Sequence, residues 1–274
     1  MQQDAVRIRS AHPEWEFPDF DCKEFTSKKS EYCVCIFVIN EGKKIQRQLT
    51  KMKQFVGVVD IIVADGGSTD GSLKPDFLRQ QKVRSLLIKK GAGKLSAQMR
   101  MALAYAVYQG YKGVIVVDGN GKDDINALPD FVKLLRQGYD HIQGSRFIPG
   151  GHAINTPLSR ELGLHLIHAP LISLAAGKRH TDTTNGFRAY SARLLKHKNT
   201  APFRNIFMTY ELHYHLAIES SRAKDLKTIE TPVTRAYPKK GKTPTKISPI
   251  KGNTHVMKVL ISAVLGKYRV KKGK

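Results

Sequence analysis

The 274-residue sequence is short of acids, short of cysteine and without any unbroken apolar run of transmembrane length. Each shortage excludes something. A membrane-crossing helix needs about 20 consecutive apolar residues, so none is expected. The N-terminal MQQDAVRIRS carries an acid and no apolar core, so it is not expected to act as a signal peptide. Three cysteines are an odd count and too few for a disulfide framework. Cys33 and Cys35 fall on one expected strand and are expected to face opposite sides of it, as buried thiols in a reducing cytosol, which makes the expected location cytoplasmic. Only 23 Asp and Glu stand against 46 Lys and Arg, a formal net charge of +23 that requires an anionic partner or surface. The imbalance is extreme from Arg235 to Lys274, where 12 Lys or Arg occur without one Asp or Glu. Such a tail favours an anionic lipid face by about 1 kcal/mol per basic residue held close. A solvated tail that aids solubility also fits that composition.

Several signatures are missing as well. Gly91 to Ser96 reads GAGKLS, but Ile88 and Leu95 break the phosphate-loop pattern. No dinucleotide fingerprint follows the first strand. No zinc-finger spacing, helix-turn-helix signature or internal repeat is evident. Tyr237 and Tyr268 are the only aromatic residues of the basic tail, too few for a stacking platform, so nucleic acid is not an expected partner.

What is there is a regular alternation. CVCIFVI (33–39), DIIVAD (60–65), RSLLI (84–88), GVIVVD (113–118) and DHIQGSR (140–146) read as strands, the central ones almost wholly apolar. Between them GKKIQRQLTKMKQF, LSAQMRMALAYAVYQG (95–110) and INALPDFVKLLRQG (125–138) read as helices, two of them stopped by Gly110 and Gly138. Strand and helix in turn imply an α/β, Rossmann-like, mainly parallel sheet with helices on both faces. Beyond Gly150, helices are expected over 159–177, 193–197, 209–221 and 254–268, and a strand over 228–237. The expected division is a lead-in segment (1–31), one α/β domain (32–237), and a basic loop, helix and tail (238–274). The apolar stretches 159–177 and 254–268 suit either core packing or a membrane interface.

Three acid-bearing loops follow strands: Asn40-Glu41, then Asp65 to Asp70, then Asp118-Gly119-Asn120. In an open parallel sheet such loops converge on one crevice outside the carboxyl ends of the strands. Carboxylates beside glycine suit a nucleoside diphosphate and a divalent cation, because glycine admits close backbone approach and the ion neutralises the pyrophosphate. A fourth motif, TDTTNGFRAY (181–190), sets Asp182 and Arg188 around hydroxyl and amide donors, and the planar fork of Arg188 is able to clamp a phosphate. Taken singly, each of these is also an acceptable turn or a salt-bridged connector.

In order and spacing, FVINEG, VADGGSTDGS, VVDGNGKDD, QGSRF and TDTTNGFRAY resemble the inverting family 2 glycosyltransferases, over about residues 32–248. Within that family the chain is similar to the dolichyl-phosphate mannose synthase type and related bacterial sugar transferases. The resemblance implies a GT-A fold, a nucleoside-diphosphate sugar donor, Mg²⁺ or Mn²⁺, and transfer with inversion to a lipid phosphate or a glycan hydroxyl. It also implies a peripheral position on the inner face of the membrane. Carried onto this sequence, it makes Asn40, Glu41, Asp65, Ser68 and Asp70 donor-binding, with Lys94, Lys122 and Lys246 near the diphosphate. Asp118 and Asn120 become the metal ligands, with Asp123 or Asp124 as a substitute. Arg188 faces the transferred phosphate, and Asp182 is the candidate general base ahead of Glu211. The chain departs from the pattern at Phe37 and Ile39, where the family has Pro and Tyr. It departs again at Gly66, which replaces an acid, and at Asn120, which replaces the second acid of the metal triplet. A nucleotidyltransferase on a similar sheet is the alternative, although the loop Asn40 to Lys44 is not glycine-rich.

Overall fold

The structure is a computed structural model that describes residues 3–239, 248 and 251–271. Lys246 and most of the basic loop lie outside the described residues. The chain begins with α1 (Gln3–Ala11) and β1 (Phe20–Glu24), then alternates through β2 (Tyr32–Val38), α2 (Lys43–Met52), β3 (Asp60–Asp65), α3 (Pro75–Gln80), β4 (Ser85–Lys89), α4 (Leu95–Tyr108), β5 (Gly113–Asp118), α5 (Leu128–Arg136) and β6 (His141–Ser145). After β7 (His152–Ile154) come α6 (Leu158–Gly163), a π-helical turn over Leu164–His168 and α7 (Ala169–Ala176). The rest is β8 (Arg188–Ser191), α8 (Ala192–Leu195), α9 (Glu211–Arg222), β9 (Thr228–Pro232), β10 (Thr234–Ala236) and α10 (Lys251–Val264).

Eight strands form one sheet in the order β1-β4-β3-β2-β5-β8-β6-β9. Neighbours run parallel except β1 against β4 and β8 against both β5 and β6. All seven residues of β2 are buried, which a strand achieves only with both faces covered. Cys33, Cys35 and Phe37 pack beneath α4 and α9, whereas Val34, Ile36 and Val38 pack on the opposite face beneath α2 and α5. Helix α4 is buried from Ser96 to Val107, because the sheet, α1 and α9 surround it.

Three expectations need correction. Cys33 and Cys35 share a face, since residues two apart on a strand point the same way; both remain free thiols. The lead-in segment is part of the fold: β1 extends the sheet, and Ala5, Ile8, Phe17 and Phe20 enter the core. The end of TDTTNGFRAY is a strand, β8, inserted antiparallel between β5 and β6. The stretch 159–177 stays helical through Pro170, which follows directly on the π-helical turn over Leu164–His168 and falls in the first turn of α7.

Candidate active site

The strand order places the ends of β3, β2 and β5 side by side. Val38 pairs with Asp65 on one flank, and Phe37 pairs with Asp118 on the other. The acid-bearing loops therefore leave the same rim of the sheet. Asn40 turns the chain with φ 49°, a left-handed conformation that Asn tolerates better than most residues. Its backbone N–H donates to Ser68 Oγ (2.9 Å), and its Oδ1 accepts from the N–H of Thr69 (2.8 Å). Gly42 N–H donates to Asp70 Oδ2 (2.8 Å). Asp65 accepts from the Ser68 N–H and from its hydroxyl, the latter at 2.6 Å. The first two loops thus bind each other as a single unit. Ser72, chiefly through its hydroxyl, holds the Asp70 carboxyl below the usual range. Glu41 lies 3.7 Å from Lys44 Nζ, one turn along at the start of α2.

The third loop is pinned by α2. Gln48 donates to the Asp118 carbonyl and accepts from Gly121 N–H, each at 3.0 Å. Gly119 is required by space: a Cβ there would lie 2.8 Å from Val38 Cγ2 and 3.1 Å from the Phe37 carbonyl oxygen. Gly66, where the resembling family has an acid, already faces Gln98, Ile39 and Val38 at 3.4 Å from its Cβ position. Lys94 is exposed at the start of α4, and its N–H donates to the Met208 carbonyl (2.6 Å). That bond ties the loop after β4 to the approach to α9.

Under Asp118 the charges gather. Arg235, on β10 and 5% exposed, sets Nη2 3.0 Å from Asp118 Oδ2 and Nη1 at 2.6 and 2.7 Å from the two oxygens of buried Asp123. Lys122 is buried with its ammonium 5.1 Å from the centre of the Tyr237 ring. Burial works against the Asp118 carboxylate, but Arg235 and Lys122 outweigh it and hold its pKa below the usual range. Burial and Arg235 both push the Lys122 pKa down. Gly186 admits this crowding, since its Cβ position is 3.2 Å from Asp118 Oδ1.

The remaining motif closes inward. Asp182 is fully buried and takes a two-pronged pair from Arg146, Nε to Oδ2 at 2.6 Å and Nη2 to Oδ1 at 2.9 Å. It also accepts from the N–H groups of Arg146, Thr184 and Asn185. Arg188, 2% exposed, donates to the carbonyls of Asn185, His213 and Thr183. Both side chains are directed into the protein, where these bonds hold the loop before β8. Glu211, the first residue of α9, accepts from Thr209, by the N–H and the hydroxyl, each at 2.6 Å.

Residues 33–198 match the family described as Glycosyl transferase family 2. The chain belongs to that family. It is therefore a glycosyltransferase. It is 25% identical over 222 residues to the glycosyltransferase AglJ of Haloferax volcanii, a match covering 80% of this chain and 67% of that one. It is 26% identical over 159 residues to an undecaprenyl-phosphate mannosyltransferase of Micrococcus luteus, covering 57% and 65%. The matched part thus spans about two thirds of those relatives. Glucosyl-3-phosphoglycerate synthase of Mycobacterium tuberculosis, solved with Mn²⁺, uridine diphosphate and phosphoglyceric acid, superposes with a TM-score of 0.61 at 16% identity, over 98% of this chain and 84% of that one. The fold is GT-A.

The donor set at Asp118 does not fit a divalent cation as it stands. The Asn120 amide nitrogen, not its oxygen, faces Asp118 Oδ2 (3.2 Å), and the amide oxygen accepts from Lys122 N–H (3.3 Å). Asp123, one of the two alternative ligands, is taken on both oxygens by Arg235; the other, Asp124, accepts from the Asn126 N–H (3.1 Å) and caps the following turn. Among the described residues no group of three His, Cys, Asp or Glu is arranged to hold a metal ion. Arg235 and Arg146 were not foreseen as site residues. Arg146 stands in the QGSRF motif, where a signal was available; Arg235 lies 117 residues from Asp118 and has no local signature.

Proposed function

We propose that this glycosyltransferase moves a sugar from a nucleoside-diphosphate donor, bound over the rim of β3, β2 and β5, to a phosphate carried on a lipid at an anionic membrane face. The supporting observation is an exposed apolar ridge joined to the site. Leu158, Leu162 and Leu166 recur every four residues along α6 and the π-helical turn, and Leu174 follows on α7. Leu166 and Leu174 are 71% and 79% exposed. Ile261 and Leu265 add apolar surface at and just beyond the end of α10, whose Val259, Leu260 and Ala263 pack against α7 and α9. The ridge is tied to the chemistry through Tyr237, which has the guanidinium of Arg160 from α6 over its ring at 5.7 Å and Lys122 at 5.1 Å. Phe147, just past β6, meets His165 edge to face at 4.5 Å. A row of exposed leucines beside a strongly basic chain suits an interfacial helix on an anionic bilayer. No helix among the described residues is long and apolar enough to cross the membrane.

In this reading the paired loops 39–42 and 65–72 cradle the nucleoside, and Lys94 and Lys122 face the diphosphate. The acceptor oxygen attacks the anomeric carbon from the side opposite the diphosphate, a carbon–oxygen bond forms as the sugar–diphosphate bond breaks, and the configuration inverts. An ionised phosphate needs no general base. That agrees with the enclosed state of Asp182, and it favours a phosphate over a glycan hydroxyl as acceptor. No step is assigned to a metal ion, and Arg188 and Asp182 are given positioning roles.

Transfer of labelled sugar to undecaprenyl phosphate in phosphatidylglycerol vesicles is the test, beside phosphoglycerate as a soluble acceptor. Transfer to the lipid, lost with Leu166→Ser/Leu174→Ser while the melting temperature holds, supports the reading. Transfer to phosphoglycerate alone, or a double variant as active on vesicles as wild type, defeats it.

A further inference from the structure

Beneath the donor rim, Arg235 stands between two carboxylates. One guanidinium nitrogen contacts both oxygens of Asp123 and the other contacts Asp118 at 3.0 Å. Nη1 also lies 3.3 Å from Asn185 Oδ1. Lys122 is buried beside them, so Asp118, Asp123, Arg235 and Lys122 sum to zero formal charge. Two carboxylates and one divalent cation sum to the same value. A divalent ion entering here would meet two resident cations and would have to strip a forked guanidinium from the buried Asp123, leaving that cation unpaired. The amide nitrogen of Asn185, fully buried and touching this cluster through its own oxygen, has no hydrogen-bond partner among the described residues. An unsatisfied donor next to fixed positive charge suits an anionic oxygen arriving with a ligand.

We propose that Arg235, oriented by Asp123 and joined by Lys122, takes the place of the divalent cation at Asp118, so that this enzyme binds its nucleoside diphosphate without metal. The inference rests on the donor-site reading above and deepens it. A fixed guanidinium presents donors in a set plane and needs no exchange with solvent to meet a developing phosphate charge, which is the property required of the cation at a leaving group. The paired carboxylates then serve to aim a cation of the protein's own, rather than to recruit one from solution.

The experiment is calorimetric titration of UDP and of GDP into the full-length protein, in EDTA and again in Mn²⁺, together with titration of Mn²⁺ alone. Dissociation constants that agree within about twofold between the two buffers, with no saturable Mn²⁺ binding, are expected. Arg235→Ala should weaken binding in EDTA by about tenfold or more. Should that variant fail to fold by circular dichroism, Lys122→Met carries the same expectation. Binding that appears only with Mn²⁺, stoichiometric Mn²⁺ uptake lost in Asp118→Ala, or a folded Arg235→Ala protein that binds as tightly as wild type in EDTA would overturn the proposal. Absence of binding by both nucleotides in both buffers would instead remove the donor site itself, and this inference with it.

Discussion

Replacing Asp182 by Asn separates two roles for the most enclosed acid of the site. A general base would lose its proton-accepting charge and keep its fold. A positioning residue would lose the partner of Arg146. The two-pronged pair has side chains 0% and 4% exposed, and three backbone N–H groups share the same carboxylate. Asn keeps the shape but removes the charge, and it turns an NH₂ group toward a donor. Breaking a buried pair from one side costs about 3–5 kcal/mol. For a chain of this size about 2 °C accompanies each kcal/mol, so Asp182→Asn should melt roughly 6–10 °C lower. Scanning calorimetry reads that shift, and the pH profile of kcat measured well below the new melting point reads the alternative. A variant that melts within about 1 °C of wild type, yet has lost kcat together with the acidic limb of its profile, would refute the positioning role.

Other consequences are equally concrete. Gly119→Ala forces a Cβ against Val38 and the Phe37 carbonyl; about 1–3 kcal/mol of stability should go, along with nucleotide binding, and a variant unchanged in both would show that the third loop has room to move. Burial pushes the pKa of both His180 and His215 down to about 4 from the ordinary 6.5. The unfolded chain then binds more protons below about pH 6.5, so this contribution to stability is whole above that pH and is lost as pH falls toward about 4. The melting temperature should drop from pH 7.5 to pH 5, and less steeply in His180→Gln; equal slopes would exclude His180 as a source. Asn40→Ala removes the bond to Thr69 N–H and strains φ 49°, so it should loosen the paired loops, seen as faster amide exchange over residues 65–72.

The central sheet was legible because β2, β3 and β5 are continuous apolar runs, and strands buried on both faces must be so. Strand β1 was not, because FDCKE lies at an edge and mixes charge with apolar residues. Nor was β8, a four-residue strand following a run of turn formers. The acid-bearing loops were found because strand ends mark ligand sites in such sheets. Their internal bonding was hidden: Asp65 binds Ser68 within its own loop, Ser68 and Asp70 accept from the neighbouring loop, and nothing in the sequence reveals which oxygens remain for a ligand. The inward turn of Arg188 and the long-range pairing of Arg235 depend on where three carbonyls and two carboxylates meet in space.

Hydrogen–deuterium exchange with and without a saturating nucleoside diphosphate tests the account at its centre. Protection confined to segments 39–42, 65–72 and 118–123 is the predicted result, since those loops share one rim. Protection that spares all three while appearing elsewhere would contradict it.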